Sequence, residues 1–188
     1  LGLTFIGGFG IASFFAFLAS SSFIYIGHFG LTPTQYGLTF SVNAISFIGA
    51  SQFSGYLAER FGISRVISVA VSCFTVATLA LFAMTAAGVD NLAVLVVMLF
   101  IANAWLGLVI PSTMVLSLED HGPIAGMASA LGGTLQMITG AVMIVVASVF
   151  FNGTALPMVA TIAVCAVAAF ILTRLTLRSG KTAAQLAE

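Results

Sequence analysis

Charge is what this sequence has least of. Its 188 residues include five Lys and Arg together and five Asp and Glu together, so charged side chains make up 5% of the chain, where soluble globular proteins carry about a quarter. The net charge of zero carries no message about acidic or basic partners, and no nucleic-acid partner is expected. Cysteine is nearly as scarce. Cys73 and Cys165 fall inside apolar runs at different depths, which fits packed thiols rather than a disulfide or a metal site. There is no metal-ligand spacing, no Ser-His-Asp set and no phosphate loop, so neither an enzyme nor a cofactor is expected. The first apolar run is long and lacks a basic leader and a small-residue cleavage site, so it does not read as a signal peptide. The sequence begins without methionine; a piece of a longer protein is the expectation.

What is present is hydrocarbon. The chain is 61% hydrophobic, with 17 phenylalanines and 19 glycines, and its mean hydropathy is +1.22. A transmembrane helix needs about 20 apolar residues, which leaves room for about six spans. Alternating strands of a barrel do not fit, because the apolar runs are continuous and too long. The runs predict spans at Leu3 to Gly27, Leu38 to Ala58, Val66 to Ala87, Leu92 to Met114, Ile124 to Phe151 and Pro157 to Leu177. Gly30, Pro33 and Gly37 mark the first break, Gly88 to Asn91 a minimal turn, and Asn152-Gly153-Thr154 the last. The expected fold is therefore an all-α membrane protein, a six-helix bundle over residues 1–178 with a short tail over 179–188.

The few charges are informative by position. Arg60 and Arg65 follow the second span, and Arg174, Arg178 and Lys181 follow the sixth. Alternating spans put both groups on one side, and the opposite loops hold no Lys or Arg. The positive-inside rule then places both termini in the cytoplasm. Glu119 and Asp120 fall on that side as well, without conflict, since acids contribute little to the rule.

The spans differ in kind. The third and sixth are Val, Ala, Leu and Ile with almost no glycine, which suits lipid-facing helices. The first, second, fourth and fifth hold nearly all the buried amides, glycines and large aromatics, which suits helix contacts or a cavity. Small residues recur at every fourth position at Ser46, Ala50, Ser54 and Ala58, and again at Gly122, Gly126, Ala130 and Thr134. Packing within the chain is the plainer reading of both stripes.

The charged island between the second and third spans reads Gly55-Tyr56-Leu57-Ala58-Glu59-Arg60-Phe61-Gly62-Ile63-Ser64-Arg65, with Gly55 and Gly62 expected to bracket a tight turn. The pattern Gly-x-Leu-Ala-Glu-Arg-x-Gly-x-x-Arg resembles the cytoplasmic loop signature of the major facilitator superfamily, found between the second and third helices of each six-helix half. Two further stretches narrow the resemblance. Ser20 to Ile26 with Gly30 to Ala44 is similar to the seventh-to-eighth helix region of the Bcr/CflA drug-resistance transporters. Pro111 with Ala125 to Gln136, Gly140 and Ala141 is similar to their tenth-to-eleventh helix region. Ser22 stands where that family often has proline, so the local bend of the first span is open.

The resemblance implies the C-terminal half of a twelve-helix, proton-coupled exporter of small hydrophobic drugs, in a bacterial inner membrane, built as a 3+3 inverted repeat. Its partner would be an N-terminal six-helix half or a second copy. No acid or base lies deep in a span, where a charge costs about 2.5 to 3.5 kcal/mol on insertion scales. The proton would therefore pass through the other half, and His28 and His121, both in loops, are weak candidates. This half would line a cavity and supply a gate. The lining candidates are Phe14, Phe17, Ser21 and Tyr25 on the first span, Asn43 on the second, Asn103 and Trp105 on the fourth and Gln136 on the fifth. Each has a plain alternative: the rings as core, the amides as interhelical glue at about 0.6 kcal/mol apiece. Gly55, Glu59, Arg60, Gly62 and Arg65 are the gating candidates. Two other classes stay open, a half-size homodimeric carrier without proton coupling and a non-transporting scaffold subunit.

Overall fold

The computed structural model describes residues 2–119, 125–150 and 152–185. Seven α-helices account for almost all of these: α1 Gly2–Ser22, α2 Pro33–Gln52, α3 Ser54–Phe61, α4 Ile63–Ala86, α5 Leu92–Glu119, α6 Ala125–Val149 and α7 Leu156–Gln185. There is no strand among the described residues. Local chemistry sets the boundaries. Thr32 caps α2 through a reciprocal pair with Gln35 behind Pro33 at the first helical position. The Asn91 side chain accepts from the Ala93 amide at 2.8 Å to start α5.

The first span does not stop at Ser22. It widens into a π-helical turn, Phe23–His28, in which the Phe29 amide donates to the Ile24 carbonyl five residues back.

The second predicted span, Leu38 to Ala58, is corrected. Its helix starts earlier, at Pro33, and is interrupted at Phe53. Ser51 and Ser54 hydroxyls bond back to the Ile48 and Ser51 carbonyls there, and such back-bonding competes with the helical ladder. Five helices are long and apolar enough to cross a membrane: Gly2–His28, Ile63–Ala86, Leu92–Leu118, Gly126–Val149 and Leu156–Thr176. The second segment is not one of them, because Gln35, Asn43, Gln52 and several serines and threonines dilute it.

The island is corrected too. Gly55 brackets no turn; it lies inside α3, with open space where a Cβ would go. Tyr56 to Phe61 contains no helix breaker, so the backbone stays helical. A single residue, Gly62 at φ +83°, makes the link to α4. α5 runs through Pro111 and past the expected end at Met114, and α7 continues past Leu177 to Gln185. Glu119's side chain, Asp120, His121, Gly122, Ile124 and Phe151 lie outside the described residues.

The six long helices alternate in direction, with α3 at the end of α2, so the core divides by end. One cluster joins Phe17, Ile24 and Tyr25 to Phe74, Leu81, Leu99 and Met158. The other joins Ile6, Ile67, Val71, Val109 and Ala169, at the end where Gly2 lies against Thr176 of α7. α1 packs on α6 and α7, α4 on α5 and α7, and α2 on α5. Half of the apolar stretch of α4 and of α7 is buried within the bundle, against 17% of that of α6. The glycine-poor helices thus carry one packed face and one open face, while most of α6 is open. Gly126, Ala130 and Thr134 of the α6 stripe are exposed, while Ser46 is buried against α5.

Candidate functional site

Four of the lining candidates form one row. Phe14, Phe17, Ser21 and Tyr25 are spaced three and four apart, the spacing that stacks side chains on one helix face. The antiparallel α2 answers them in reverse order. Phe14 stacks on Phe47 with ring centroids 5.5 Å apart, and Phe17 lies parallel to Phe40 at 5.8 Å. Ser21 Oγ is 3.0 Å from the Tyr36 hydroxyl, and the Tyr25 ring is 6.0 Å from the Tyr36 ring. Phe14, Tyr36, Phe40 and Phe47 are all half-buried, so ring surface stays open along the seam. The two helices meet through these side chains rather than by close backbone approach.

Tyr25 sits at 0% exposure in the π-turn, and its hydroxyl has no hydrogen-bond partner. That is unusual for a buried polar atom.

The other face of α2 is a clamp. Asn103 of α5 donates its amide to the Asn43 side-chain oxygen at 3.2 Å, and Asn43 donates to the Thr39 carbonyl. One turn on, Ser46 Oγ donates to the Phe100 carbonyl at 2.6 Å. The two amides are 1% and 5% exposed, so in this structure they bind each other rather than line a space. Gly107 completes the clamp, since any Cβ there would collide with the Phe47 carbonyl oxygen.

Trp105 is not part of this row. Two residues along a helix turn through about 200°, so Asn103 and Trp105 leave α5 on opposite sides. Trp105 instead borders a half-open cavity of about 450 Å³ with residues of α3 and α4. Gln136 is also elsewhere. It packs against Gly7 of α1 and near Thr113 of α5, where a Cβ on Gly7 would lie 2.8 Å from Gln136 Nε2.

The gating candidates are set around α3. Arg60 Nη1 donates to the Tyr56 hydroxyl at 2.8 Å and its guanidinium lies over the Phe61 ring, so its contacts are local to α3. Arg65, in the first turn of α4, borders the 450 Å³ cavity. Arg174 lies over the Phe170 ring near the far end of α7. At the opposite end of the bundle His28 Nε2 is 2.6 Å from the Asp90 carboxylate, tying the π-turn to the link between α4 and α5. That contact joins residues 62 apart, and nothing in either local sequence marks it.

Comparison with known proteins bears on this arrangement. The chain is 32% identical over 133 residues to an uncharacterized MFS-type transporter, YdgK, of Bacillus subtilis, covering 69% of this chain and 32% of the relative. It is 28% identical over 185 residues to a bicyclomycin resistance protein homolog of Haemophilus influenzae, covering 95% of this chain and 46% of the relative. These likenesses support a major facilitator superfamily transporter. The chain spans between a third and a half of the length of these relatives. Neither relative is named for an enzymatic reaction, and the five apolar helices agree with an integral membrane protein. No protein-family model matches the chain. No solved structure matches it either.

Proposed function

We propose that this chain is one six-helix half of a secondary drug exporter, an antiporter that works by alternating access. The observation that carries the reading is the half-exposed aromatic row on α1 and α2. A drug pocket is mostly apolar with a few placed polar groups, and the row offers rings at Phe14, Phe40 and Phe47 with the Ser21–Tyr36 hydroxyl pair at one end. The similarity to a bicyclomycin resistance protein homolog favours an antibiotic-like substrate, and the open ring surface favours one with an apolar face.

The helix neighbours support the 3+3 repeat. Exchanging α1, α2 and α4 for α5, α6 and α7 turns the α2–α5 pair into α6–α1 and the α4–α5 pair into α7–α1, all four of which are packed pairs. The orientation has support as well. Arg60, Arg65 and Arg174 lie at the end of the bundle where Gly2 meets Thr176, and His28 and Asp90 lie at the other. We place this basic end in the cytoplasm of the bacterial inner membrane. The exposed faces of α2 and α6 would take the other six-helix half, and the proton-carrying carboxylate belongs to that half. α3, joined to α4 by one glycine, is the gating element, with Glu59 free to meet a helix N-terminus across the interface.

The test is drug efflux from cells making the full-length protein. Phe47→Ala should slow efflux by about tenfold per molecule in the membrane, the scale of one lost aromatic contact with its buried surface, and Phe47→Tyr should restore most of it. Unchanged efflux in Phe47→Ala would remove the seam from the substrate path.

A further inference from the structure

The 450 Å³ cavity is built by three helices, each giving one face. Leu57 and Phe61 come from α3, Arg65 and Val69 from α4, and Trp105 and Leu108 from α5, every pair three or four residues apart. The substrate row uses none of these side chains. The lining is apolar except for the Trp105 indole N–H and one basic residue, Arg65, in the first turn of α4. Val69 is one turn deeper, a step of about 5.4 Å along the axis. Among the described residues Arg65 makes no ion pair, and the only acid nearby in sequence, Glu59, is exposed on α3 and does not border the cavity. Arg60 does not line the cavity; it is engaged by the Tyr56 hydroxyl and the Phe61 ring.

We propose that this cavity is a binding site for an anionic phospholipid, with the headgroup phosphate on Arg65 and the upper acyl chain between α3, α4 and α5. The polarity gradient is that of a lipid: a single lining cation where α3 ends and α4 begins, then hydrocarbon walls one turn along α4. Arginine suits a phosphate in particular, because its planar fork offers two parallel hydrogen bonds to two oxygens. A neutral apolar compound would gain nothing from the guanidinium, and a cationic one would be repelled. Phe61 and Val69 are 52% and 50% exposed, so the groove opens sideways from the bundle rather than into its core. The site rests on the membrane setting of the chain and not on the transport reading.

The test uses the full-length protein purified from its membrane in mild detergent. Retained lipid is counted by native mass spectrometry, and melting is followed with added phosphatidylglycerol, phosphatidylethanolamine or inorganic phosphate. Phosphatidylglycerol should be retained and should raise the melting temperature, while the other two should not. Arg65→Gln should weaken retention about tenfold, the scale of a lost charge-assisted contact; Arg65→Lys should weaken it less. Val69→Trp, which fills the groove and leaves the charge, should also abolish it, and Arg174→Gln should leave it intact. Equal retention in Arg65→Gln and the unaltered protein overturns the proposal. So does equal retention of the two lipids, or stabilisation by inorganic phosphate alone. If Val69→Trp does not fold, the Gln and Lys variants at position 65 decide the question.

Discussion

Helix α2 has two seams, and they are made differently. Against α5 it is clamped: Asn43 to Asn103, Ser46 to the Phe100 carbonyl, and the Phe47 backbone pressed on Gly107. Against α1 it meets only side chains, rings on rings from Phe14–Phe47 to Tyr25–Tyr36. Lipid supplies little hydrophobic drive between helices, so a membrane seam holds by close backbones and hydrogen bonds. The α2–α5 seam has both and should move as a unit. The α1–α2 seam has neither in quantity, and stacked rings can slide or part to admit a ligand. The difference assigns rigidity to one face of α2 and adaptability to the other.

The largest effect should come from breaking the clamp. Gly107→Val places carbon on a backbone oxygen that no rotamer change can move, and overpacking of this kind costs about 3 kcal/mol. The full-length protein in detergent should melt markedly lower or fail to reach the membrane. A smaller loss, about 1 to 2 kcal/mol, is expected for Asn43→Ala, which leaves the Asn103 amide buried without its acceptor. The Asn43→Ala/Asn103→Ala double variant should lose less than the two single losses summed, because the sites are one pair. On the other seam the smallest change is Tyr25→Phe. Its hydroxyl has no partner to lose, so stability should stay within about 0.5 kcal/mol of the original. A loss well above that would show that Tyr25 is bonded after all, and the seam would then be stiffer than described.

Much of this was legible in residue order. Phe14, Phe17, Ser21 and Tyr25 share a face by spacing alone, and the basic residues declare which helix ends lie together. Their partners were not legible: Tyr36, Phe40 and Phe47 belong to a chain with 17 phenylalanines, and which ring meets which is decided by the antiparallel pairing of α1 and α2. Trp105 and Asn103 fall on the same predicted span, while the 200° between them on a helix separates their surroundings. Gly55 was read as a turn because glycine permits one, yet permission is not a requirement, and Gly62 alone takes the positive φ. The π-turn and the His28–Asp90 contact left no local mark, since each depends on what packs around it.

The most direct test asks which region meets the substrate, using the chain's single tryptophan. Fluorescence of the full-length protein in liposomes, with any tryptophan outside these 188 residues replaced by phenylalanine, would be recorded on adding a hydrophobic drug, first with native Trp105 and then with Trp105→Phe/Phe47→Trp, which moves the reporter to the α1–α2 seam. A drug-dependent change is predicted for the reporter at 47 and none for the one at 105. A response at 105 with silence at 47 would contradict the account and move the substrate site to the corner of α3, α4 and α5.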